Sequence, residues 1–483
     1  MQRLQTLQSQ LDVSQKATQQ VTQSTQAASK QLVLNEELTR ILIDQQLIEA
    51  GWQADTQELT YAKGARPEKG KNLAIAEWPT LGKEAADYVL FAGQTPIAVV
   101  EAKRENINVA GKIPQAERYS RGYRYLPDAQ PAWQREGLAA GWPDAQGSHF
   151  EIPFVYSSNS RPYLQQLAEQ SGTWFRDVRS PANLARPLMD FHTPAGLLDL
   201  LARSKAAAEA KLQQEGCAYL HLRNYQERAI QAVESALAAG QANCLLAMAT
   251  GTGKTRTIIG LMYRFLKAER FRRILFLVDR SALGQQAQEN FDEAALEQNL
   301  PLSKAYNIAE MGDMAAEAET RIQVATVQAM VKRIFQSDTP PGIDEFDCII
   351  IDEAHRGYTL DQEMSEGELQ VRDQAQYLST YRRVLDYFDA TKIALTATPA
   401  RHTSDIFGRP VYTYSYREAV ADDWLIDHEP PIRYETLLSK HGIKFAKGEQ
   451  VSAIDLGTGE IEQSELEDEL KFDGDSFNRR VIN

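Results

Sequence analysis

The chain has 483 residues, too many for a single hydrophobic core, and ordinary domain sizes point to about three domains. With 43% hydrophobic and 24% charged residues it is neither disordered nor fibrous, and its net charge of −14 gives no global argument for nucleic acid, so any DNA contact must come from local basic surface. No apolar run approaches the ~20 residues that span a bilayer, and the Gln/Ser/Thr-rich start is no signal peptide.

Residues 1–30 carry Leu4, Leu7 and Leu11 at helical spacing, but the pattern fades after Val13. A flexible or partly helical arm is expected there. From Leu32 the pattern sharpens. Leu34, Leu38, Ile41, Leu42 and Leu47 form the apolar face of a helix that Gly51 should stop. Glu36 and Glu37 lie in its first turns, where complementing the helix dipole alone explains them.

A hairpin follows. Residues 86–91 and 97–103 read as strands, with 92–96 as the turn. Pairing symmetric about Gln94 sets Asp87 opposite Glu101, and opposed residues share a face. Lys103, two residues from Glu101, shares it too. Two opposed carboxylates repel unless something positive lies between them, and Mg²⁺ suits hard oxygen ligands. Such an ion polarises a phosphoryl oxygen and acidifies a bound water, while Lys103 could orient that water or stabilise the transition state. A solvated hairpin with a Lys–Glu pair remains the plain alternative on these residues alone. Further on, 154–159 reads as another strand of the same domain, and 170–216 as a connector ending in an Ala/Lys-rich helix. Cys217, Cys244 and Cys348 have no metal-ligand spacing and read as reduced packing residues.

The strongest local signal is Ala249-Thr250-Gly251-Thr252-Gly253-Lys254-Thr255, set between an apolar run (244–248) and a helix (257–262). Strand, glycine turn and helix N-terminus make a phosphate cradle from backbone N–H groups and the helix dipole. Lys254 would reach the β- and γ-phosphates, and the Thr255 hydroxyl would hold Mg²⁺. Met248 stands where the strict pattern wants glycine. Further buried strands are expected at 274–278 and 324–328, the latter carrying Thr326. Cys348-Ile349-Ile350-Ile351-Asp352-Glu353-Ala354-His355 is an apolar run ending in two acids, at the strand end where α/β sheets bind ligands. Asp352 would hold Mg²⁺ and Glu353 would orient the attacking water. One more strand at 393–398 carries Thr396 and Thr398. Past Asp427 the pattern thins.

Asp87, Glu101 and Lys103 resemble the nuclease signature of the PD-(D/E)xK fold, although Ala86 stands where the signature often has proline. Ile113-Pro114-Gln115-Ala116-Glu117-Arg118-Tyr119 resembles the Gln-x-x-x-Tyr element of type I restriction enzyme R subunits, the HsdR family. Residues 35–52 resemble that family's opening helix, in which Glu36 matches an acidic position supporting the metal site. The resemblance puts Gln115 and Tyr119, one helical turn apart, on the DNA backbone or the active site. Downstream, Gln226, the phosphate loop, Asp-Glu-Ala-His and Thr-Ala-Thr-Pro follow the order of superfamily 2 helicase-like motors. This implies that Gln226 reads adenine, and that Thr326, Thr396 and Thr398 contact DNA or link it to the nucleotide.

The expected fold is therefore α/β. A flexible arm (1–30) precedes a PD-(D/E)xK-like endonuclease domain (31–180), a helical connector (181–220) and a first RecA-like motor lobe (221–430). Residues 431–483 would be a linker towards a second lobe that is missing here, as in an N-terminal piece of a longer chain. Such a piece alone should hydrolyse ATP hardly at all. The resemblance implies an ATP-driven double-stranded DNA translocase and Mg²⁺-dependent endonuclease, a type I site-specific deoxyribonuclease of the cytoplasm. Its partners would be methyltransferase and specificity subunits. The alternatives are a type III restriction or repair helicase-nuclease and a non-catalytic DNA-binding ATP switch.

Overall fold

The computed structural model describes residues 36–354 and 374–427, apart from short breaks, and four short strands between 443 and 472. The chain up to Leu425 forms one compact unit and the chain from Ile426 a second.

The first unit is built on two seven-stranded sheets. The first sheet takes its strands in chain order: β1 (Gln53–Ala54), β2 (Asn72–Pro79), β3 (Ala85–Ala92), β4 (Thr95–Ala102), β5 (Phe154–Ser158), β6 (Thr173–Asp177) and β7 (Arg186–Leu188). It is mixed, with β1–β2 and β4–β5 parallel and the other pairs antiparallel. Its central strand β4 is buried along its whole length, which explains the near-continuous apolar run from Ile97 to Val100. Alternate residues feed two cores. Tyr88, Leu90, Val100 and Tyr156 enter one, and Val89, Phe91, Val99 and Val155 the other.

Three details depart from the sequence reading. The hairpin turn is the two residues Gly93-Gln94, not residues 92–96, and the register shifts between Leu90 and Phe91. Gly93 takes φ 62°, the left-handed conformation such a tight turn needs. Before the shift Tyr88 pairs with Val100, so Asp87 still lies at the level of Glu101. Second, residues 173–188, read as connector, supply β6 and β7, because the alternating burial of Thr173–Asp177 completes the sheet edge.

Third, helix α1 (Glu36–Glu49) is rotated from the expected face. It buries Thr39, Ile43, Asp44 and Leu47, and leaves Leu38, Ile41 and Leu42 about 40% exposed. Leu34 lies outside the described residues. Polar anchors set this rotation. Asp44 accepts the Thr56 N–H (2.7 Å), the Tyr88 hydroxyl donates to the Arg40 carbonyl (3.1 Å), and the Arg40 guanidinium reaches Asp87. Gly51, at φ 93°, ends the helix as expected.

The second sheet is wholly parallel. Its strands are β8 (Asn243–Met248), β9 (Ile274–Val278), β10 (Ile308–Ala309), β11 (Ile322–Thr326), β12 (Cys348–Ile351), β13 (Thr391–Thr396) and β14 (Tyr412–Tyr414). They lie in the order β10-β11-β9-β12-β13-β8-β14. Helices α2 (Ile113–Arg121) and α3 (Pro194–Ala202) cover the first sheet. Helices α4 (Asn224–Ala238) and α5 (Lys254–Lys267) cover one face of the second, and α6 (Val327–Phe335) and α7 (Gln374–Tyr387) the other.

A polar junction joins the sheets. Asp389, just before β13, takes a two-point ion pair from Arg186 of β7 (2.6 Å each) and contacts His192 Nε2 at 2.8 Å. His192 Nδ1 in turn meets the Tyr156 hydroxyl of β5 at 2.7 Å. Thr193, which caps α3, donates its N–H and hydroxyl to Asp344 (2.6 and 2.8 Å). The second unit contains two antiparallel pairs, Ile443–Phe445 with Leu470–Phe472 and Gln450–Ile454 with Ile461–Glu465, in a stretch read as linker.

Candidate functional site

Two constellations of charge lie in the first unit. The first spans three adjacent strands. Ala76 pairs with Tyr88 and Trp78 with Ala86, which sets Glu77 at the level of Asp87. The Tyr88–Val100 pair sets Asp87 at the level of Glu101. Burial deepens across this row: the side chains of Glu77, Asp87 and Glu101 are 52%, 12% and 1% exposed.

Each acid meets a base. The Arg40 guanidinium bridges Asp87 and Glu77, the latter at 3.2 Å. Asp87 Oδ2 accepts the Ala102 N–H at 2.8 Å. Lys103 forms an ion pair with Glu101 Oε1, while Oε2 is buried with no hydrogen-bond partner. Burial pushes the Glu101 carboxyl up, Asp87 opposite adds to this, and Lys103 pulls back, leaving it at about 7. Burial alone would lower the Lys103 ammonium, but Glu101 outweighs it and keeps lysine charged.

The orphaned oxygen of Glu101, facing a second carboxylate, fits a divalent cation held by Asp87 and Glu101. Among the described residues no group of three or more His, Cys, Asp or Glu side chains is placed to hold a metal ion, so the two carboxylates would be the protein's acidic share of the site. An open pair suits Mg²⁺, which keeps several waters and takes phosphate oxygens. Helix α2 supplies the flank. Gln115 Nε2 donates to the Tyr119 hydroxyl at 2.8 Å, so the two share a face as expected. Burial raises the Tyr119 phenol, and Glu101 and Asp87 raise it further, which places it within their field. Glu36 opens α1, with its side chain outside the described residues.

Sequence reasoning missed three members of this cluster. Arg40 lies one helical turn beyond Glu36, and that spacing was its signal. Glu77 follows from the same register arithmetic that located Asp87. Ser157 of β5 pairs in register with Glu101, and its hydroxyl is buried without a partner.

The second constellation lies at the C-terminal ends of the parallel strands. Gly251 and Gly253 take φ 84° and 75°, so the loop from β8 into α5 depends on glycine. A Cβ on Gly253 would meet Gln226 Nε2 at 2.7 Å. Thr252 is buried, and its hydroxyl donates to the Ala249 carbonyl at 2.6 Å. Thr250 is exposed and Thr255 half-buried in the first turn of α5. Lys254 Nζ lies 3.2 Å from Glu353 Oε1, so the lysine of the loop and the second acid after β12 come together. Glu353 takes φ 48°, and its N–H donates to Asp352 Oδ1 at 2.9 Å. The Ala354 N–H reaches the Leu395 carbonyl at 2.8 Å, tying this loop to β13.

Other sequence-predicted residues have partners within the fold. Gln226 is buried and its amide is engaged at both ends. Its oxygen accepts the Arg223 N–H at 3.0 Å, and its nitrogen donates to the Thr252 and Gly253 carbonyls at 3.2 and 3.1 Å. It braces the phosphate loop. Thr326 caps α6 by accepting the Ala329 N–H at 3.2 Å. Thr396 is buried and accepts the Thr398 N–H at 3.2 Å, whereas Thr398 is exposed. His355 lies outside the described residues. Missed here were Tyr225, whose hydroxyl donates to the Thr252 carbonyl (2.8 Å) while its ring stacks on Tyr414 at 4.1 Å, and Arg223, which lies 4.1 Å over the Trp424 ring. All three cysteines are free and buried, as expected.

Comparison with known proteins gives two family matches. Residues 53–201 match the second domain of the type I restriction enzyme EcoKI endonuclease subunit. Residues 219–401 match the res subunit of type III restriction enzymes. The EcoKI endonuclease subunit of Escherichia coli (strain K12) is 47% identical over 480 residues, covering 95% of this chain and 40% of its own length. The EcoAI endonuclease subunit of Escherichia coli is 28% identical, covering 88% of this chain and 46% of its own. The type I restriction enzyme SauCOLORF180P endonuclease subunit of Staphylococcus aureus (strain COL) is 23% identical, covering 77% and 37%. The chain thus spans less than half the length of these curated relatives.

Proposed function

The chain belongs to the family of type I restriction enzyme endonuclease subunits, and from that premise we propose that it couples ATP hydrolysis on the parallel sheet to Mg²⁺-dependent cleavage of double-stranded DNA at the β3–β4 hairpin. One observation carries the reading: Asp87 and Glu101 lie level on adjacent, register-locked strands with Lys103 paired to Glu101, whose Oε2 is buried without a hydrogen-bond partner. Asp87 and Glu101 would hold the cation, which when bound polarises the scissile phosphodiester and acidifies a water. Lys103 is positioned beside Glu101 to offset negative charge as it builds on the phosphoryl oxygens. Gln115 and Tyr119 form one polar face for positioning the DNA backbone.

At the motor site the amides of Thr250 to Gly253 would cradle the phosphates of ATP. Lys254 exchanges Glu353 for the β- and γ-phosphates, and Glu353, released, orients the attacking water. Thr255 and Asp352 would hold the Mg²⁺ that accompanies the nucleotide. The nuclease domain is then the first sheet, extending to Leu188, and the second sheet is the first motor lobe. Thr398, exposed beyond β13, is the hydroxyl best placed to meet DNA. Base recognition would come from methyltransferase and specificity subunits in a cytoplasmic complex. None of its described helices is long and apolar enough to cross a membrane.

The test is plasmid cleavage by the assembled complex, with wild-type and Lys103→Ala subunits and ATP hydrolysis followed in the same tube. Loss of cleavage with hydrolysis retained supports the reading. Unchanged cleavage would move the cutting to another part of the complex.

A further inference from the structure

We infer that Arg40 and Glu77 form a counterion switch for the cation site. Arg40 occupies Asp87 while no divalent cation is bound, and withdraws to Glu77 when one binds. The inference rests on the reading of Asp87 and Glu101 as cation ligands.

Both oxygens of Asp87 are engaged, Oδ1 by the Arg40 guanidinium and Oδ2 by the Ala102 N–H. The backbone donor belongs to the strand ladder region and stays. An incoming cation must therefore compete with Arg40 for Asp87. Removing a half-buried guanidinium from Asp87 with no other acid to receive it would leave an uncompensated charge. Glu77 prevents this. It lies one strand outward, level with Asp87, and already accepts from Arg40 at 3.2 Å. The same guanidinium spans both acids, so transfer needs only a shift of the fork and no new partner.

Two features distinguish this pair from a static clamp. The Arg40 Nε is buried with no hydrogen-bond partner. A settled structural arginine has its donors satisfied, so this fork has a donor to gain by moving. Glu77 also holds φ 55°, a left-handed conformation inside a strand that glutamate adopts only under constraint. That backbone turn coincides with the half-exposed carboxylate that receives Arg40. Burial alone would lower the Arg40 pKa, but Asp87 and Glu77 outweigh it and raise it.

The experiment is a calorimetric titration of the full chain with Ca²⁺, a non-catalytic probe, without nucleotide or DNA. The signal of interest is the part abolished by Glu101→Gln. Glu77→Gln should weaken Ca²⁺ binding at least threefold, because Arg40 then loses the second acid it bridges to. Arg40→Met should tighten it at least threefold, because the competitor is gone. The double variant should match Arg40→Met, since Glu77 acts only through Arg40. Unchanged affinity in Glu77→Gln overturns the switch, as does a double variant weakened as much as the single one. Glu77 is half-exposed and Gln is isosteric, so this variant decides the matter even if Arg40→Met fails to fold. Absence of any Glu101-dependent Ca²⁺ binding in the wild type would overturn the cation-site reading and the switch with it.

Discussion

The two sheets hold their charges on different kinds of scaffold. In the first, Glu77, Asp87 and Glu101 lie within adjacent strands, and the ladder fixes their spacing. In the second, Lys254 and Glu353 lie beyond the strand ends, one in the first turn of α5 and the other on a residue at φ 48°. Yet both keep acid and base together, as Lys103 with Glu101 and Lys254 with Glu353. The difference teaches where each site has freedom. The hairpin site is built in advance and needs only its counterions exchanged. The acid of the second site belongs to a loop, tied to β13 by the Ala354 N–H on the Leu395 carbonyl.

The largest expected effects test whether the two sites are separable. In the assembled complex Lys103→Ala should lower cleavage by about 100-fold or more, the usual scale for removing one charge stabiliser, with ATP hydrolysis within about twofold. Lys254→Ala should lower hydrolysis by a similar factor of about 100 and remove ATP-dependent cleavage as a consequence. Parallel assays of nucleotide turnover and plasmid cutting check both. If Lys103→Ala also slowed hydrolysis tenfold, the contrast between a hairpin site and a loop site would break, because chemistry at one would be limiting at the other.

The next effect concerns what joins the sheets. Burial alone would raise the Asp389 carboxyl, but Arg186 and His192 hold it well below the usual carboxylate range. Asp389→Asn leaves Arg186 without its counter-charge and should cost about 3 kcal/mol, as for other broken buried pairs. Urea unfolding followed by separate probes on the two sheets reads this. The junction predicts a loss shared by both sheets. A loss confined to the second would mean that the first sheet does not draw stability from the contact.

How much of this was legible beforehand follows the same division. The Asp87–Glu101 level came from counting along one hairpin, and it survived an error in the turn because the register shift at Leu90 and Phe91 offset it. The phosphate loop and the two acids after β12 were legible because each strand is an unbroken apolar run ending in polar residues. What escaped depended on partners far along the chain. The face of α1 was misread at Leu38, Ile41 and Leu42, while Leu47 is buried as expected, because Asp44 and Arg40 anchor the helix. No local pattern shows that the Gln226 amide bonds carbonyls 26 and 27 residues away. Strand β7 was missed because three residues carry no usable periodicity. The Arg186–Asp389 pair spans 203 residues, and no local pattern announces it.

Glycine offers a smaller test of the contrast. Gly93 in the hairpin and Gly253 in the phosphate loop both need positive φ, but their surroundings differ. A Cβ on Gly93 meets only the Gly70 nitrogen at 3.8 Å, an ordinary contact. Gly93→Ala should therefore cost about 1 kcal/mol from backbone strain alone, leaving the hairpin acids in place. Gly253→Ala adds a collision with Gln226 at 2.7 Å and should displace the loop as well. Its stability loss should be about 1–2 kcal/mol, and ATP affinity should fall at least tenfold. Thermal melts and nucleotide titrations of both variants check this. Equal ATP affinity in the two variants would mean that the loop tolerates displacement.

The smallest effect lies at the junction and has the opposite sign to that of Asp389. Burial pushes the Asp190 carboxyl up to about 6, although it accepts the Phe191 N–H, and Glu49 and Asp344 add to the rise. An acid whose folded pKa is raised holds its proton more tightly when folded. Its contribution to stability is therefore greatest below the unfolded pKa of about 4 and falls as pH rises towards 6, reaching a constant penalty above that. Asp190→Asn removes the penalty. The variant should match the wild type near the acid end of the folded range and exceed it by about 1 kcal/mol at pH 7.5, after allowing for solvent screening of a part-exposed group. Asp389, held low, behaves in reverse: its contribution is intact above about pH 4 and is lost as pH falls through its depressed folded value. Thermal midpoints of wild type and Asp190→Asn at pH 5.0 and 7.5 separate the two. A gap between them that widens with pH assigns the titration to Asp190, and a gap that stays flat would show that its carboxyl is not linked to folding of the junction.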